Sequence, residues 1–132
     1  MKTDTRMDRD QQAFLTLCSD FRTKLSARQY ADCETEIAEA MRDYPHAAQP
    51  HNLMGVLMEA RDDHTSAMRH FRAAWALDPA YRPARYNMER TGTLYAAGSC
   101  AVDEADCPAP QDAERYKVEY DAQGIGHVVR RR

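Results

Sequence analysis

The 132-residue chain has no run of the roughly 20 apolar residues that a membrane-spanning helix needs. Its opening residues, MKTDTRMDRDQQ, lack the apolar stretch of a secretory leader. The cytosol is therefore the expected compartment, with no membrane partner. Lysine is scarce, with Lys2, Lys24 and Lys117 set against 15 arginines; genome base composition can produce that bias, so no function is drawn from it. A net charge of −3 supplies no general attraction for nucleic acid. Glycine-rich phosphate loops, G-x-S-x-G elbows and H-E-x-x-H pairs are all missing. So is any C-x-x-C pair. The five histidines (His46, His51, His64, His70 and His127) have no grouping with metal-ligand spacing. No catalytic site, metal or cofactor is expected. His64 and His70 flank Ser66 as surface decoration, and Glu34, Glu36, Glu39, Arg42 and Asp43 read as a solvated helix face with weak i,i+3 pairs.

What is present is an ordinary globular composition, 43% apolar and 30% charged, on a chain long enough for one core. Its organising stretch is 48–79, AQPHNLMGVLMEARDDHTSAMRHFRAAWALDP. His51, Met54, Gly55 and Met58 recur at helical spacing, and so do Ala67, Phe71, Ala74 and Trp75, with Met68 and Leu77 widening that stripe. A glycine inside a helix costs about 1 kcal/mol relative to alanine, so Gly55 points to a second helix crossing closely there. Ala67 and Ala74 supply matching small faces. Pro79 stops the second helix, because the residue before a proline is pushed out of the α region. The stretch reads as a helical hairpin.

Leu53-Met54-Gly55, then Ala67, Phe71, Ala74 and the closing Leu77-Asp78-Pro79, resemble a tetratricopeptide repeat. His51 stands where the family has a large aromatic residue, and Asp62 where it has a turn glycine. The resemblance implies neighbours at a period of about 34 residues. One period back, Ala74, Pro79, Phe71 and Ala67 fall on Ala40, Pro45, Ile37 and Cys33, Phe21 takes the place of Gly55, and Tyr30 fills the aromatic position after the turn. One period forward, Met88 and Glu89 stand where Met54 and Gly55 stood. The expected fold is mainly α, an α-α superhelix of about two and a half units (14–47, 48–81 and a partial 82–97) within a domain over 8–97.

The expected helices are 8–25, 29–44, 47–61, 64–77 and 83–97, with a turn at 26–28 and a helix cap at Asp62 or Asp63. Pro50 and Pro83 fall early in their helices, where the missing N–H costs nothing. Residues 1–7 read as a frayed tail. The stretch 98–114, with Pro108, Pro110 and several acids, reads as a loop. Beyond it Tyr116, Val118 and Tyr120 alternate with Lys117 and Glu119, and Ile125, His127 and Val129 alternate again. A small hairpin, 115–120 with 125–130, is expected within a cap over 115–132, and a short helix over 111–122 is the alternative. Since a repeat stack leaves an open apolar end, this tail is expected to cover it, or else the open end pairs two copies of the chain.

Cys33, in place of a packed alanine, reads as a buried small apolar residue. Cys18 reads as partly exposed. Cys100 and Cys107 flank six loop residues, so a disulfide can close geometrically, but free thiols are the expectation in a reducing compartment. The family resemblance implies a concave groove lined by the first helix of each pair, with Leu15, Cys18, Arg22, Leu25, Asn52, Val56, Glu59, Tyr86, Asn87 and Arg90 facing inward. Arg22, Asn52 and Arg90 form its polar set, suited to a carboxylate or an extended peptide backbone; the other reading is that both arginines are simply solvated. The lysines of the family's carboxylate clamp are absent, which argues against chaperone-tail binding. A protein–protein interaction module or adaptor, taking a protein or peptide ligand in that groove, is the expected function. The alternatives are a self-associating structural protein, for example a homodimer, and a secretion-chaperone-like protein holding a client segment.

Overall fold

The computed structural model describes residues 5–92, 100–107, 116–120 and 126–130. It is mainly α, with five successive helices: α1 (Thr5–Ser26), α2 (Tyr30–Asp43), α3 (Ala48–Ala60), α4 (His64–Leu77) and α5 (Arg82–Thr91). Each packs on the next, and α1 and α5 also lie against α3. A single 3₁₀ turn follows at Glu104–Asp106. Two short strands, β1 (Tyr116–Tyr120) and β2 (Gly126–Arg130), pair antiparallel with Tyr116 opposite Arg130. Residues 115 and 121–125 of the expected hairpin lie outside the described residues.

Sequence periodicity accounts for the helical frame. In α2 the buried residues are Cys33, Ile37 and Ala40, and in α4 they are Ala67, Phe71 and Ala74, a single stripe on each helix. The central helix, α3, is buried nearly all round, from Ala48 and Pro50 through the whole run Asn52–Leu57. A helix with apolar residues on every side belongs inside the stack. Asp63 caps α4 by accepting a hydrogen bond from the Ser66 N–H at 3.1 Å, which satisfies one of the donors that a helix N-terminus leaves without a partner.

The repeat is visible in the backbone. Helices α2 and α4 are both 14 residues long. The only non-glycine residues with positive φ among those described are Arg28 (58°) and Asp62 (61°), one period apart. Each closes the preceding helix with a paired bond pattern: Arg28 N–H to Leu25 O and Gln29 N–H to Lys24 O, then Asp62 N–H to Glu59 O and Asp63 N–H to Met58 O. This is a Schellman closure, whose left-handed residue is usually glycine. Four more bonds recur at the same offset. They start from Ala27, Cys33, Tyr44 and Ala47 in the first half and from Arg61, Ala67, Asp78 and Tyr81 in the second. Six equivalent hydrogen bonds thus recur at an offset of 34 residues, over 23–47 and 57–81.

Packing differs between these copies at the equivalent positions. In the second copy Gly55 lets the Phe71 ring press onto the α3 backbone, and a Cβ built on Gly55 would overlap that ring. In the first copy the equivalent positions are Phe21 and Ile37, both buried. The large side chain has changed helices. His51 is half-buried beside His70, with ring centroids 6.0 Å apart. Burial holds both imidazoles below the usual histidine range, with the neighbouring His51 adding to the effect on His70.

Two expectations need correction, while residues 93–97 of the expected fifth helix lie outside the described residues, where α5 is described over Arg82–Thr91. Cys18 is not partly exposed but buried in the core with Phe21 and Leu53. Residues 100–107 are not a free loop either: Ala101 and Val102 are buried, and Val102 belongs to the main apolar cluster.

Candidate functional site

Helices α1, α3 and α5 turn one face toward a shared groove, and residues 100–107 of the same chain lie in it. Helix α1 contributes Cys18 and Arg22, α3 contributes Asn52, and α5 contributes Asn87 and Arg90. Asn87 grips a single residue at both its backbone groups. Its Nδ2 donates to the Ala101 carbonyl at 2.7 Å, while its Oδ1 accepts from the Ala101 N–H at 2.6 Å. Asn52 adds a second amide, donating to Ala101 O at 3.0 Å and to Val102 O at 3.4 Å. The two side chains are joined by a bond from Asn87 Nδ2 to Asn52 Oδ1 at 2.9 Å. Because the Ala101 N–H requires an acceptor, it fixes the orientation of the Asn87 amide, and that in turn fixes Asn52. Both amides are fully buried, and every donor they carry is used.

The 34-residue offset accounts for part of this convergence. Stepping back one period from Asn52 reaches Cys18, whose Sγ donates to Val102 O at 3.8 Å. Stepping forward reaches Tyr86, next to Asn87. Helices α1, α3 and α5 each point a donor at these two consecutive carbonyls, with Asn87 one residue away from the equivalent position. Burial raises the Cys18 thiol to about 11, with Asp103 adding to the effect, so at neutral pH it is a proton donor rather than a nucleophile.

The ends of the segment are held by charge. Arg22 Nη2 lies 2.9 Å from Asp103 and 2.7 Å from Asp106. Asp106 also accepts the Val102 N–H at 3.0 Å, and Asp103 accepts from Ala105 N–H at 3.0 Å, which folds the segment into its 3₁₀ turn. Burial pushes the Asp106 carboxyl upward, but bonds from Arg22 and the Val102 N–H outweigh it and hold the group below the usual aspartate range. At the other end Arg90 Nη1 meets Cys100 Sγ at 3.5 Å. Arg22 and Arg90 stand two periods apart, one at each end of the bound stretch.

Beside Asp103, Glu104 and Ala105 lies a cavity of about 490 Å³ that Phe14, Leu15, Cys18 and Tyr81 also line. Leu15 is 58% exposed there. Of the residues expected to face inward, the structure thus brings together Cys18, Arg22, Asn52, Asn87 and Arg90. Glu59 lies near enough to Cys100 for its charge to help raise that thiol, and it also pairs with His64 at 2.6 Å, while Tyr86 is half-buried beside Asn87. The sequence reading missed Ala101, Val102, Asp103 and Asp106. Their only signal is a small and an aliphatic residue preceding spaced acids.

All four cysteines are free thiols. Among the described residues no three His, Cys, Asp or Glu side chains come together as a metal site, and no helix is long and apolar enough to cross a membrane. No protein-family model matches the chain, and no curated protein or solved structure matches it.

Proposed function

We propose that this chain is a small tetratricopeptide-type repeat protein, an α-α superhelix of about two and a half units, acting as an interaction module that holds extended polypeptide in its concave groove. The C-terminal hairpin would cover the open end of the stack, and a reducing cytoplasmic setting would keep the four thiols free. The observation that carries this reading is the grip of Asn87 and Asn52 on Ala101. It engages only backbone N–H and C=O groups, which every peptide except one with proline at that position offers. A side-chain amide bonded at both backbone groups of one residue is a means of holding a strand whatever its side chains, leaving selectivity to the flanking contacts. The seating of residues 100–107 against these helices supports this reading, and the adjoining cavity would leave room for a longer ligand.

The test is selection from a displayed peptide library by wild type and by Asn52→Ala/Asn87→Ala. The expected result is a set of peptides held by wild type and lost by the double variant at a temperature where both remain folded by circular dichroism. Peptides held equally by both proteins would place the binding surface elsewhere.

A further inference from the structure

Residues 100–107 occupy the groove that the proposed function assigns to a ligand, so they also report what that ligand looks like. The geometry points to an acidic peptide of another protein, with the pattern small–aliphatic–Asp–x–x–Asp, as the partner, taken up by displacing the chain's own segment. This rests on the groove-binding reading above and adds the chemical class of the ligand.

Each position of the pattern has a physical reason. At Ala101 no exposed surface remains, and both its backbone groups are held by buried asparagines, so a small side chain is favoured. Val102 is buried in the same cluster as Cys18 and Val56, which calls for an aliphatic residue. The next acid, Asp103, and the acid three further on, Asp106, share one guanidinium. A carboxylate on arginine is a charge-assisted bond, stronger than a neutral one, and Arg22 is 41% exposed, so it is reachable from solvent. The positions between the acids, Glu104 and Ala105, are exposed and impose no choice.

Displacement is physically reasonable because the grip is polar and the apolar contribution is small. Ala101 and Val102 are the fully buried residues of the segment, with Cys100 partly buried against the core. When the segment leaves, Asn52 and Asn87 lose backbone partners but gain water, and an incoming peptide restores the same bonds to the same atoms. The tether gives the native segment an effective concentration on the order of millimolar, so a free peptide competes only weakly with the intact chain. A weakened tether segment should reveal the binding.

The probe is a blocked, fluorescent peptide of sequence SAVDEADS, with SAVNQANS as its neutral twin, titrated against wild type and Asp103→Asn/Asp106→Asn by anisotropy. The acidic peptide should bind the double variant about tenfold more tightly than wild type and about tenfold more tightly than the neutral twin does, as expected for a charged hydrogen bond. Adding Arg22→Gln should bring both peptides to one affinity. Equal binding of the two peptides by the double variant would overturn the acidic class while leaving backbone recognition standing. Binding of neither by a folded variant would overturn the groove reading itself. If the variant fails to fold, the wild type supplies the answer: about 1 mM acidic peptide should accelerate exchange of the Ala101 amide hydrogen, and unchanged exchange would overturn the proposal. A dimer that has swapped residues 100–107 between copies and takes up neither peptide would also overturn it, in favour of a second copy as the occupant.

Discussion

Residues 14–47 and 48–81 share six backbone hydrogen bonds and a left-handed turn residue, yet diverge on the face that meets residues 100–107. Where the first presents Cys18 and Arg22, the second presents Asn52 and Val56. One holds the segment with a weak sulfur donor and a charge, the other with a buried amide. The turns are what two helices need in order to pair, so they recur. The inner face is not needed for pairing, so it is free to differ, and there the chemistry collects.

That contrast can be broken first at the amides. Asn87→Leu removes both hydrogen bonds to Ala101 and leaves its N–H without a partner in a closed site. A loss of about 3 kcal/mol is expected, read as a fall in Tm on the order of 10 °C. Cys18→Ala, on the first helix, should cost only about 1 kcal/mol, because a thiol is a weak donor. Equal costs at the two sites would mean that the donors along the groove are not graded.

The exchange of bulk between the copies offers the next test. Gly55→Ala improves helix propensity but drives a methyl into the Phe71 ring, and a net loss of about 2 kcal/mol is expected from overpacking. Phe71→Leu in the same chain should recover part of it. Additive losses in a double-mutant cycle would show that the two positions do not share one space.

Charge at the end of the groove should matter less to stability. Arg22 is exposed enough for solvent to screen it, and Arg22→Ala should cost under about 1 kcal/mol. The pH dependence has a definite sign. Asp106 has its carboxyl depressed in the folded chain, so its contribution is present above the ordinary aspartate range, near pH 4. It is lost as pH falls through the lower folded value. The difference in urea midpoint between wild type and Asp106→Asn should therefore shrink on acidification. A difference that grows would reverse the assignment.

The smallest effect belongs to the turns. Asp62→Gly relieves a left-handed backbone that most side chains disfavour and should stabilise by up to about 1 kcal/mol, with Arg28→Gly behaving alike. Opposite responses at the two positions would show that the two copies are not equivalent there.

The helical frame could be read from sequence because its signals are local. The Ala67–Phe71–Ala74 stripe, the proline after each hairpin and the capping aspartate each act within a few residues, and the offset of about 34 carried them to Cys33, Ile37 and Ala40. The groove residues were partly legible for the same reason, since the repeat determines which positions face inward. What the groove holds was not. Ala101 and Val102 are too few to make a periodic pattern, and the glycine before them and the prolines after them suggest a solvated loop. Their burial comes from partners 14 to 84 residues away, Asn87, Asn52 and Cys18.

The central claim is that the inner face grips the backbone of residues 100–107 firmly but reversibly, and amide hydrogen exchange at Ala101 tests it most directly. The predicted protection lies well above that of the exposed turn amide of Ala105 and well below that of the Leu57 amide in the middle of α3. Exchange as fast as Ala105 would mean that the asparagines hold nothing. Protection equal to Leu57 would make the segment a permanent part of the core, with no groove left to open.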